Sequence, residues 1–427
     1  MANILVSTSE EVLLQESEDL EKILLFGRSV EDGINSCGAA VIEKIKKLRV
    51  NPDPLSIDFL GIALSVLSAD KLVSRNSSPD GWTRIINLSV PVMNLEKWNS
   101  SRITIEKMLR FLTTDIWNLS FYEYQANFDF DEGESCRSLD GNCVTLLSGG
   151  MDSLIGLIDL VSSKKKPIVV SQIVKGDSEK QQFFVEEVNA GLEHLQFNHN
   201  VTASKENSTR SRSIIFLAYG IMAATCLENF KSEKKVKMFI CENGLISLNP
   251  PLTSTRVGSL STRTTNPVYM SYLNQLLEEL GLNVEVVNPY QFKTKGEMCV
   301  DCRDQVKLKK LARLSTSCGR FGRYGFTQCG RCFPCLIRRS SFKKWGQVDR
   351  STYFFKKLGK KDKYHSGFDD VRSASIAVSK VTSESVEKWI GPILSNSVFR
   401  EDKKKYISII QRGIKELELL MKYYKIL

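Results

Sequence analysis

The sequence lacks an apolar stretch long enough to cross a lipid bilayer. The longest such stretch, Ile214 to Leu227, falls short of the roughly 20 residues that a membrane-spanning helix requires. The first residues, MANILVSTSEEVLL, also lack the basic segment followed by an apolar stretch that is typical of a secretory signal. We therefore expect a cytoplasmic protein with no part embedded in a membrane.

A strong excess of charge is also missing. The formal net charge of +10 is small for 427 residues, and the basic residues are scattered along the chain. Short basic clusters such as Lys356 to Lys363 usually mark a solvated surface. The charge therefore permits binding of nucleic acid without favouring it. The hydrophobic fraction of 42% indicates an ordinary globular protein, and the length predicts two or three domains.

The chain divides into three regions by composition. Residues 1–135 are predicted to form an α+β accessory domain. Residues 136–345 alternate strand and helix patterns, which predicts an α/β domain with a doubly wound parallel sheet. Residues 346–427 are predicted to be a mostly helical extension that ends in an amphipathic helix, Lys403 to Tyr424. No internal repeat is visible in the sequence.

The first region carries no motif with a chemical function. It contains a helical pattern at Ile57 to Val73 and an alternating strand pattern at Trp82 to Val92. The acidic stretch Asp129 to Glu134 is interpreted as a linker to the second region. We therefore expect residues 1–135 to act as a scaffold or as a docking domain for a partner protein.

A glycine turn between a predicted strand and a predicted helix is the main candidate for a ligand site. The turn is Ser148-Gly149-Gly150-Met151-Asp152-Ser153, after the strand Cys143 to Leu147. Glycines permit a tight turn that exposes backbone N–H groups at a helix N-terminus, where the helix dipole favours phosphate. The hydroxyl groups of Ser148 and Ser153 add donors, whereas the charge of Asp152 suits Mg²⁺ or a helix cap. An ordinary helix start is the alternative interpretation.

The same turn differs from two familiar phosphate-binding motifs, because it has neither the Walker lysine nor the dinucleotide-binding glycine spacing. Its pattern S-G-G-x-D-S directly after a strand resembles the PP-loop of the N-type ATP pyrophosphatases. The resemblance implies an enzyme that splits ATP between the α and β phosphates and leaves AMP on a substrate oxygen. It also implies that Ser148 to Ser153 bind ATP.

Six of the eleven cysteines fall between Cys299 and Cys335. Clustered cysteines in a chain without a visible secretory signal favour a metal site over disulfides. The predicted zinc ligands are Cys318, Cys329, Cys332 and Cys335. A site of four cysteines is closed and structural, with no open position for water. The pair Cys299 and Cys302 leaves two alternatives open, since it could supply zinc ligands or serve in redox or sulfur-transfer chemistry.

The segment CGRFGRYGFTQCGRCFPCLIRR, which begins at Cys318, resembles the zinc-binding end of the QueC family, the 7-cyano-7-deazaguanine synthases. Its closing arginine is Arg338. Three further stretches resemble family elements in the same order along the chain. These stretches are Arg212 to Leu217, Thr262 to Thr264, and Asn288-Pro289 followed by Thr294 to Glu297. The resemblance spans about Cys143 to Phe342 and implies the PP-loop fold of the HUP-like adenine nucleotide hydrolases.

The family resemblance implies a specific reaction. QueC enzymes use ATP and Mg²⁺ to adenylate the carboxylate of 7-carboxy-7-deazaguanine, ammonia displaces AMP to give an amide, and a second activation gives the nitrile. The chain would then be an AMP-forming or ADP-forming carbon–nitrogen ligase. The matching positions implicate Asp152 in catalysis, and Lys295 and Arg212 in offsetting phosphate charge. Arg263 would hold a carboxylate or a purine-like edge.

The chain also departs from the family pattern. Val174 to Ser178 stand where the family carries Tyr-Gly-Gln-Arg-His, and the chain is about twice as long as its members. The added regions resemble the QatC branch of anti-phage defence systems. In that branch, the resemblance implies that the N-terminal amine of a partner protein from the same operon intercepts the activated base. The acyl acceptor, the extent of reaction and the oligomeric state stay open.

Two other functions are compatible with these motifs. A PP-loop enzyme that modifies tRNA, of the thiolation or lysidine type, would use the zinc site and the basic charge, and it would bind RNA with a strong salt dependence. The second is a non-catalytic nucleotide-binding assembly factor. Such a factor would not need an intact loop at Ser148 to Ser153, so the intact loop argues against this function.

Overall fold

The structure is a computed structural model that describes residues 1–125, 136–207, 210–251, 263–358, 370–383, 385–391 and 393–427. The described residues contain two five-stranded sheets, and all neighbouring strands in both sheets are parallel. Helices connect most successive strands, as is usual for parallel pairing, whereas residues 28–33, between the second and third strands, contain no helix. Nowhere in these ranges is a helix both long enough and apolar enough to pass through a membrane.

The first sheet has the spatial order β3-β2-β1-β4-β5. Its strands are β1 (Ala2–Ser7), β2 (Glu21–Gly27), β3 (Ile34–Gly38), β4 (Ile85–Val92) and β5 (Ile116–Glu123). Its helices are α1 (Glu10–Gln15), α2 (Ala39–Leu48), α3 (Pro54–Leu72), α4 (Leu95–Ser100) and α5 (Arg102–Thr113). All its strand pairs are parallel, so the predicted α+β arrangement of this region is wrong. β1 and β2 carry short apolar stretches with little alternation, which is typical of parallel strands covered on both faces, and β3 is short and partly polar.

The second sheet confirms the predicted parallel α/β arrangement, with the order β10-β9-β6-β7-β8. Its strands are β6 (Cys143–Leu146), β7 (Pro167–Gln172), β8 (His194–Phe197), β9 (Val236–Phe239) and β10 (Val284–Val287). Its helices up to β10 are α6 (Met151–Ser162), α7 (Ser178–Asn189), α8 (Arg212–Thr225), α9 (Glu228–Lys231), α10 (Gly244–Leu248) and α11 (Pro267–Leu280). Strand β8 is not anticipated by the sequence patterns, which predict a helix from Ser178 to Leu195.

The two sheets repeat one topology. When the strands of each sheet are numbered in chain order, both sheets have the spatial order 3-2-1-4-5. The crossover helices between the third and fourth strands, α3 and α8, pack against each other. Almost all of α3 is buried, and one hydrophobic core runs continuously through both sheets. The repeat that is invisible in the sequence is therefore present in the fold, and the two halves share a core.

The remaining helices continue from the second sheet into the C-terminal region. They are α12 (Lys295–Asp301), α13 (Gln305–Leu311), α14 (Phe333–Trp345), α15 (Asp370–Ser383), α16 (Val386–Ile390) and α17 (Lys403–Tyr423). Helix α17 agrees with the predicted amphipathic helix, and it packs against α10, α14, α15 and α16 around a separate core. The predicted linker, Asp129 to Glu134, lies outside the described residues.

Candidate active site and metal centre

The turn between β6 and α6 has the backbone geometry of an anion-binding loop. Gly149 has φ +82°, a conformation that favours glycine, and helix α6 begins at Met151 directly after the extended residue Gly150. The Ser153 hydroxyl donates to Gly150 O at 3.1 Å and accepts from Ser148 N at 3.3 Å. The turn is thus braced from within, and the first N–H groups of α6 lack acceptors inside the helix, as in any helix start.

The loop lies at the point where the second sheet reverses its strand order. Strand β6 sits between β7 and β9, so that the chain leaves β6 on one side and returns to β9 on the other. Ligands of open parallel sheets bind outside the carboxyl ends of the strands at such a switch point. Residues that follow β9 therefore face the loop, and Glu242 and Asn243 are placed in this way.

Asp152 points into the protein and forms a buried ion pair. The residue is 4% exposed, and its Oδ1 lies 2.9 Å from Nζ of Lys295. Its Oδ2 accepts hydrogen bonds from the backbone N of Asn243 at 3.1 Å and from the Asn243 side chain at 2.7 Å. The structure therefore brings together two residues that the sequence predicts for catalysis, Asp152 and Lys295, although they are far apart in the chain.

Lys295 is held by local structure at the start of α12. Thr294 caps this helix, because its hydroxyl accepts from Glu297 N at 3.0 Å while the Glu297 carboxylate accepts from Thr294 N at 2.9 Å. This reciprocal capping fixes the first helical residue, Lys295, which is 7% exposed. The ammonium group is thereby directed at Asp152 without depending on a flexible loop.

The charges of this cluster influence each other. Burial opposes ionisation of Asp152, but attraction to Lys295 and hydrogen bonds from Glu242, Asn243 and Lys295 together lower the pKa of this carboxyl below its ordinary value. Burial, and then repulsion from Asp152, raises the pKa of Glu242 well above its ordinary range. Burial disfavours the Lys295 cation, yet its attraction to Asp152 and Glu242 raises its pKa. With Glu242 neutral, Asp152 and Lys295 balance each other's charge, and a cation bound beside Glu242 would favour its ionised form.

The donors at this cluster match the chemistry of a magnesium ion. Asp152 and Glu242 offer carboxylate oxygens, and the Asn243 side chain bridges them, donating to Asp152 Oδ2 at 2.7 Å and to Glu242 Oε1 at 2.9 Å. Mg²⁺ in phosphate-transfer sites is usually held by one or two carboxylates together with substrate phosphates. The residues present therefore fit the ion, which would help to neutralise the phosphates of a nucleotide.

A second group of polar residues closes the other side of the loop. The backbone N of Thr316 donates to Gly149 O at 2.9 Å, and the Thr316 hydroxyl donates to Asp177 Oδ1 at 2.9 Å. Lys180 donates to the same Asp177 oxygen at 2.9 Å and also contacts the Thr316 hydroxyl. Lys180 thus supplies a cation beside the loop, two residues after Val174 to Ser178, the segment where the chain departs from the QueC pattern.

Arg212 is the first residue of α8 and is exposed. The two residues before it form hydrogen bonds with the N-terminal domain, which contains the first sheet. Asp70 of α3 accepts hydrogen bonds at its Oδ2 from Arg210 N at 2.7 Å, from Ser211 N at 2.9 Å and from the Ser211 hydroxyl at 2.8 Å. The same carboxylate pairs with Arg84 through Oδ1 at 2.5 Å. The N-terminal domain therefore sets the position of the predicted phosphate-binding arginine.

Arg263 is engaged elsewhere. Its Nη1 donates to Phe111 O at 2.5 Å, and its guanidinium carbon lies 5.3 Å from the centre of the Phe111 ring. Burial lowers the pKa of this arginine. Within the ranges the structure describes, its recorded contacts are with α5 and not with the loop Ser148 to Ser153, so its assignment to the substrate stays a prediction. Its neighbour Thr262 lies outside those ranges.

The four predicted zinc ligands converge. The sulfur atoms of Cys318, Cys329, Cys332 and Cys335 all lie within 4.8 Å of one another and are buried, and this is the metal-capable cluster among the residues described. Backbone N–H groups point at two of the sulfurs: Cys329 N and Arg320 N lie 3.2 and 3.3 Å from Cys318 Sγ, and Cys332 N lies 3.2 Å from Cys329 Sγ. Such donors stabilise thiolates, so the donor set fits a tetrahedral zinc ion.

Gly330 shapes the turn between two of these cysteines. Its φ is +84°, and a Cβ at this position would lie 2.6 Å from Phe355 O. The backbone conformation and the close approach both require glycine, as the sequence motif suggests. The cysteine cluster is therefore a built site and not a chance grouping of thiols.

The cysteine cluster is connected to the phosphate loop through Arg338. This arginine, one turn after Cys335 in α14, is fully buried. Its guanidinium donates to Ala312 O at 2.6 Å and to the Ser315 hydroxyl at 2.8 Å. Thr316, the residue after Ser315, donates its backbone N–H to Gly149 O. A metal at the cysteines would therefore stabilise the phosphate loop indirectly.

Cys299 and Cys302 do not take part in this cluster. Both are buried in a different hydrophobic core, which packs against α6. Burial raises the pKa of Cys299 to about 12, and that of Cys302 is also raised, so both are thiols near neutral pH. Thiols are poor ligands and poor nucleophiles. The structure therefore supports Cys318, Cys329, Cys332 and Cys335 as the ligands and does not place Cys299 or Cys302 among them.

Glu242, Asn243, Lys180 and Thr316 are the polar residues of the site that the motifs do not predict. Glu242 is the last residue of a predicted strand, Lys235 to Glu242, and Asn243 follows it, so their position just after β9 is a usable signal. Lys180 and Thr316 carry no such signal, because they reach the loop from α7 and from an irregular segment. A comparison of the chain with protein-family models and with curated proteins finds no match.

The C-terminal helix reaches the same site and gives a pH-dependent prediction. Glu416 of α17 is 6% exposed and accepts a hydrogen bond from the Thr294 hydroxyl beside Lys295. Burial raises the pKa of Glu416 from 4.5 to about 7; Glu297 adds to the rise, while Thr294 and Lys344 oppose it. The stability from this neutral carboxyl is complete below pH 4.5 and is lost as the pH rises through about 7.

We expect Glu416→Gln to remove this dependence. Between pH 5 and 8 the wild-type free energy of unfolding should fall relative to that of the variant, by up to about 3 kcal/mol, because each unit of pKa shift is worth about 1.4 kcal/mol. Urea unfolding of both proteins at several pH values measures the difference. Parallel pH profiles for the two proteins would contradict this role of Glu416.

Proposed function

We propose that the chain is an ATP-dependent enzyme that activates the carboxylate of 7-carboxy-7-deazaguanine as an acyl-adenylate. The single observation that carries the proposal is the phosphate loop at the switch point of the second sheet, with Asp152 paired to Lys295 at 2.9 Å beside it. The resemblance of the cysteine segment to the QueC family supplies the substrate class. The converging cysteines support the same proposal, because this family places a zinc site after its ATP-binding sheet.

The reaction divides into two balanced steps. First, a carboxylate oxygen of the base attacks the α phosphorus of ATP, and pyrophosphate leaves with the electrons of the broken bond. Next, an amine nitrogen attacks the carbonyl carbon, AMP leaves, and the amine loses a proton. A carboxylate needs this activation because it lacks a good leaving group, and preorganised cations stabilise the developing negative charge.

The residues of the chain have separate roles in this proposal. The N–H groups at the start of α6 and the hydroxyls of Ser148 and Ser153 bind the phosphates. Lys295 and Arg212 offset phosphate charge, and Arg263 holds the substrate. Mg²⁺, held by Asp152 and Glu242, would add charge neutralisation to the phosphates. Zinc at the four cysteines would have no chemical part and would keep α14 and the segment of Thr316 in place.

The amine that ends the reaction is the finer part of the proposal. Ammonia would give the free amide, and a second activation of that amide would give the nitrile. The N-terminal amine of a partner protein would instead give an amide-linked base, as the resemblance to the QatC branch suggests. In that case the N-terminal domain, which contains the first parallel sheet, and the C-terminal helices would provide the surface that binds the partner. The reaction would then serve anti-phage defence.

The direct test is to incubate the full chain with ATP, Mg²⁺ and 7-carboxy-7-deazaguanine. Ammonium and proteins encoded beside this chain are added separately as acceptors. We expect AMP and pyrophosphate to form, and the mass of the base or of one added protein to change according to the acceptor. Chromatography of the nucleotides and mass spectrometry of the base and the proteins measure these products.

A matched substrate control is 7-deazaguanine, which has the same ring system without the carboxylate and should give no AMP. Absence of AMP and of any mass change with every acceptor would contradict the proposal. Formation of AMP only when tRNA replaces the base would indicate a tRNA-modifying enzyme instead.

A further inference from the structure

A cleft of about 780 Å³ lies beside α14, and one of its lining residues, Ser351, also accepts a hydrogen bond from Arg338 at 2.7 Å. It is bounded by one face of α14, by residues 346–356 and by the last turn of α17. None of Ser148 to Ser153 lines it, so it is separate from the site described above. Its volume lies within the range of roughly 300–1,000 Å³ that is typical of small-molecule sites.

Three cations line the cleft. Arg339 is 5% exposed, and its guanidinium donates to Phe355 O at 2.9 Å and to Lys356 O at 3.2 and 3.3 Å. These hydrogen bonds fix the guanidinium in the wall of the cleft. Lys343 and Lys356 add two exposed ammonium groups at the rim.

The carboxylate in the lining does not cancel this charge. Asp349 already accepts a hydrogen bond at Oδ2 from the Tyr353 hydroxyl at 2.6 Å and at Oδ1 from Ser351 N at 3.0 Å. Against this carboxylate stand Arg339, Lys343 and Lys356. The cleft therefore has an excess of positive charge, which favours an anionic ligand.

Aromatic rings make up much of the remaining wall. The Arg339 guanidinium carbon lies 4.0 Å from the centre of the Tyr353 ring, and Lys343 Nζ lies 3.1 Å from that of Tyr423. Tyr424 also lines the cleft. Rings of this kind bind flat, electron-rich groups by stacking, while arginine and lysine bind phosphate oxygens. A ligand that satisfies both parts carries an aromatic ring system and a phosphate.

We propose that this cleft is a second ligand site, which binds a mononucleotide with its phosphate on Arg339, Lys343 and Lys356 and its base among the tyrosines. A phosphate alone would leave the aromatic wall unused, and an uncharged nucleoside would leave the excess positive charge of Arg339, Lys343 and Lys356 without an anion. A single nucleotide fits the enclosed volume. The inference stands on the cleft alone, so it does not depend on the reaction proposed for the phosphate loop.

The test is photolabelling of the full chain with 8-azidoadenosine 5′-monophosphate, followed by mass spectrometry of the labelled peptides. We expect label on peptides that contain Tyr353, Tyr423 or Tyr424. Lys343→Glu combined with Lys356→Glu should reduce this labelling about tenfold or more, since each removes a charged contact with phosphate. Lys357→Glu is the matched control, because Lys357 is exposed beside Lys356 but does not line the cleft, and it should label like the wild type.

Competition and a loop variant distinguish the sources of any signal. Unlabelled AMP should compete, whereas adenosine and inorganic phosphate should each compete at least about tenfold more weakly, because each offers only one of the two recognised groups. Ser153→Ala should leave the labelling of the tyrosine peptides unchanged, which separates the cleft from the phosphate loop. Absence of label at the tyrosines, equal labelling of the double lysine variant, or stronger competition by a single-stranded oligonucleotide than by AMP would each overturn the proposal.

Discussion

Cys332→Ser is expected to release zinc and to destabilise the chain more than any other single change considered for this protein. Cys332 Sγ lies 3.8 Å from Cys318 Sγ in the buried cluster, and a serine hydroxyl is a poor replacement for a thiolate ligand. Structural zinc contributes about 10–16 kcal/mol in small zinc domains, and here a large part of that would be lost. Zinc content by mass spectrometry and thermal unfolding measure the result.

Cys302→Ser is the matched control, since it makes the same substitution at a buried cysteine outside the cluster. This variant should keep its zinc. Arg338 connects the cysteine cluster to Ser315, and the following residue, Thr316, donates a hydrogen bond to Gly149 of the loop. Cys332→Ser should therefore also weaken ATP binding. A Cys332→Ser protein that is fully loaded with zinc and as stable as the wild type would contradict the ligand assignment.

The second large effect is expected for Asp152→Asn, which should abolish AMP formation. Loss of charge at Asp152 removes the partner of Lys295 and one carboxylate of the proposed magnesium site, and loss of such an electrostatic group typically costs about a hundredfold to a thousandfold in rate. The variant should also be less stable by about 3–5 kcal/mol, because Lys295 is left as a buried charge without its partner. Nucleotide chromatography and urea unfolding measure the two effects.

A double variant separates the chemistry from the fold. Asp152→Asn with Lys295→Met removes both charges and should recover much of the lost stability, since the cost arises from the unpaired charge. It should remain without activity. Full AMP formation in either variant would show that this ion pair has no part in the reaction, whereas recovery of activity together with stability in the double variant would make the pair purely structural.

The part of the fold that the sequence predicts best is the part with the strongest local patterns. Strand β6 with its glycine turn is predicted nearly to the residue, because the glycines and the following helix are signalled within a few positions. Strands β1 and β2 are missed, because a short apolar strand buried on both faces has no alternation to distinguish it from a helix, and β3 is missed because INSCG has no run of strand-forming residues. Strand β8 is missed because a helical pattern runs on past Asn189 without a clear stop.

The candidate site shows the same division. The four cysteines and the loop Ser148 to Ser153 are predicted from their spacing, because the residues of each group lie close together in the chain. The family resemblance implicates Asp152 and Lys295 separately, whereas their pairing is seen only in the structure and depends on how Thr294 places α12. The position of Lys180 beside the loop, and the hydrogen bonds from Arg210 and Ser211 to Asp70, depend on contacts between distant segments. No local sequence pattern predicts such contacts.

The shared core of the two sheets also affects how the chain folds during synthesis. Helix α3 is buried along almost its whole length, and part of that cover is α8, which the ribosome makes about 150 residues later. At translation rates of roughly 5–20 residues per second, the apolar face of α3 waits on the order of ten seconds for its partner. The N-terminal half therefore passes through a nascent stage with an exposed hydrophobic face, at which chaperones would act.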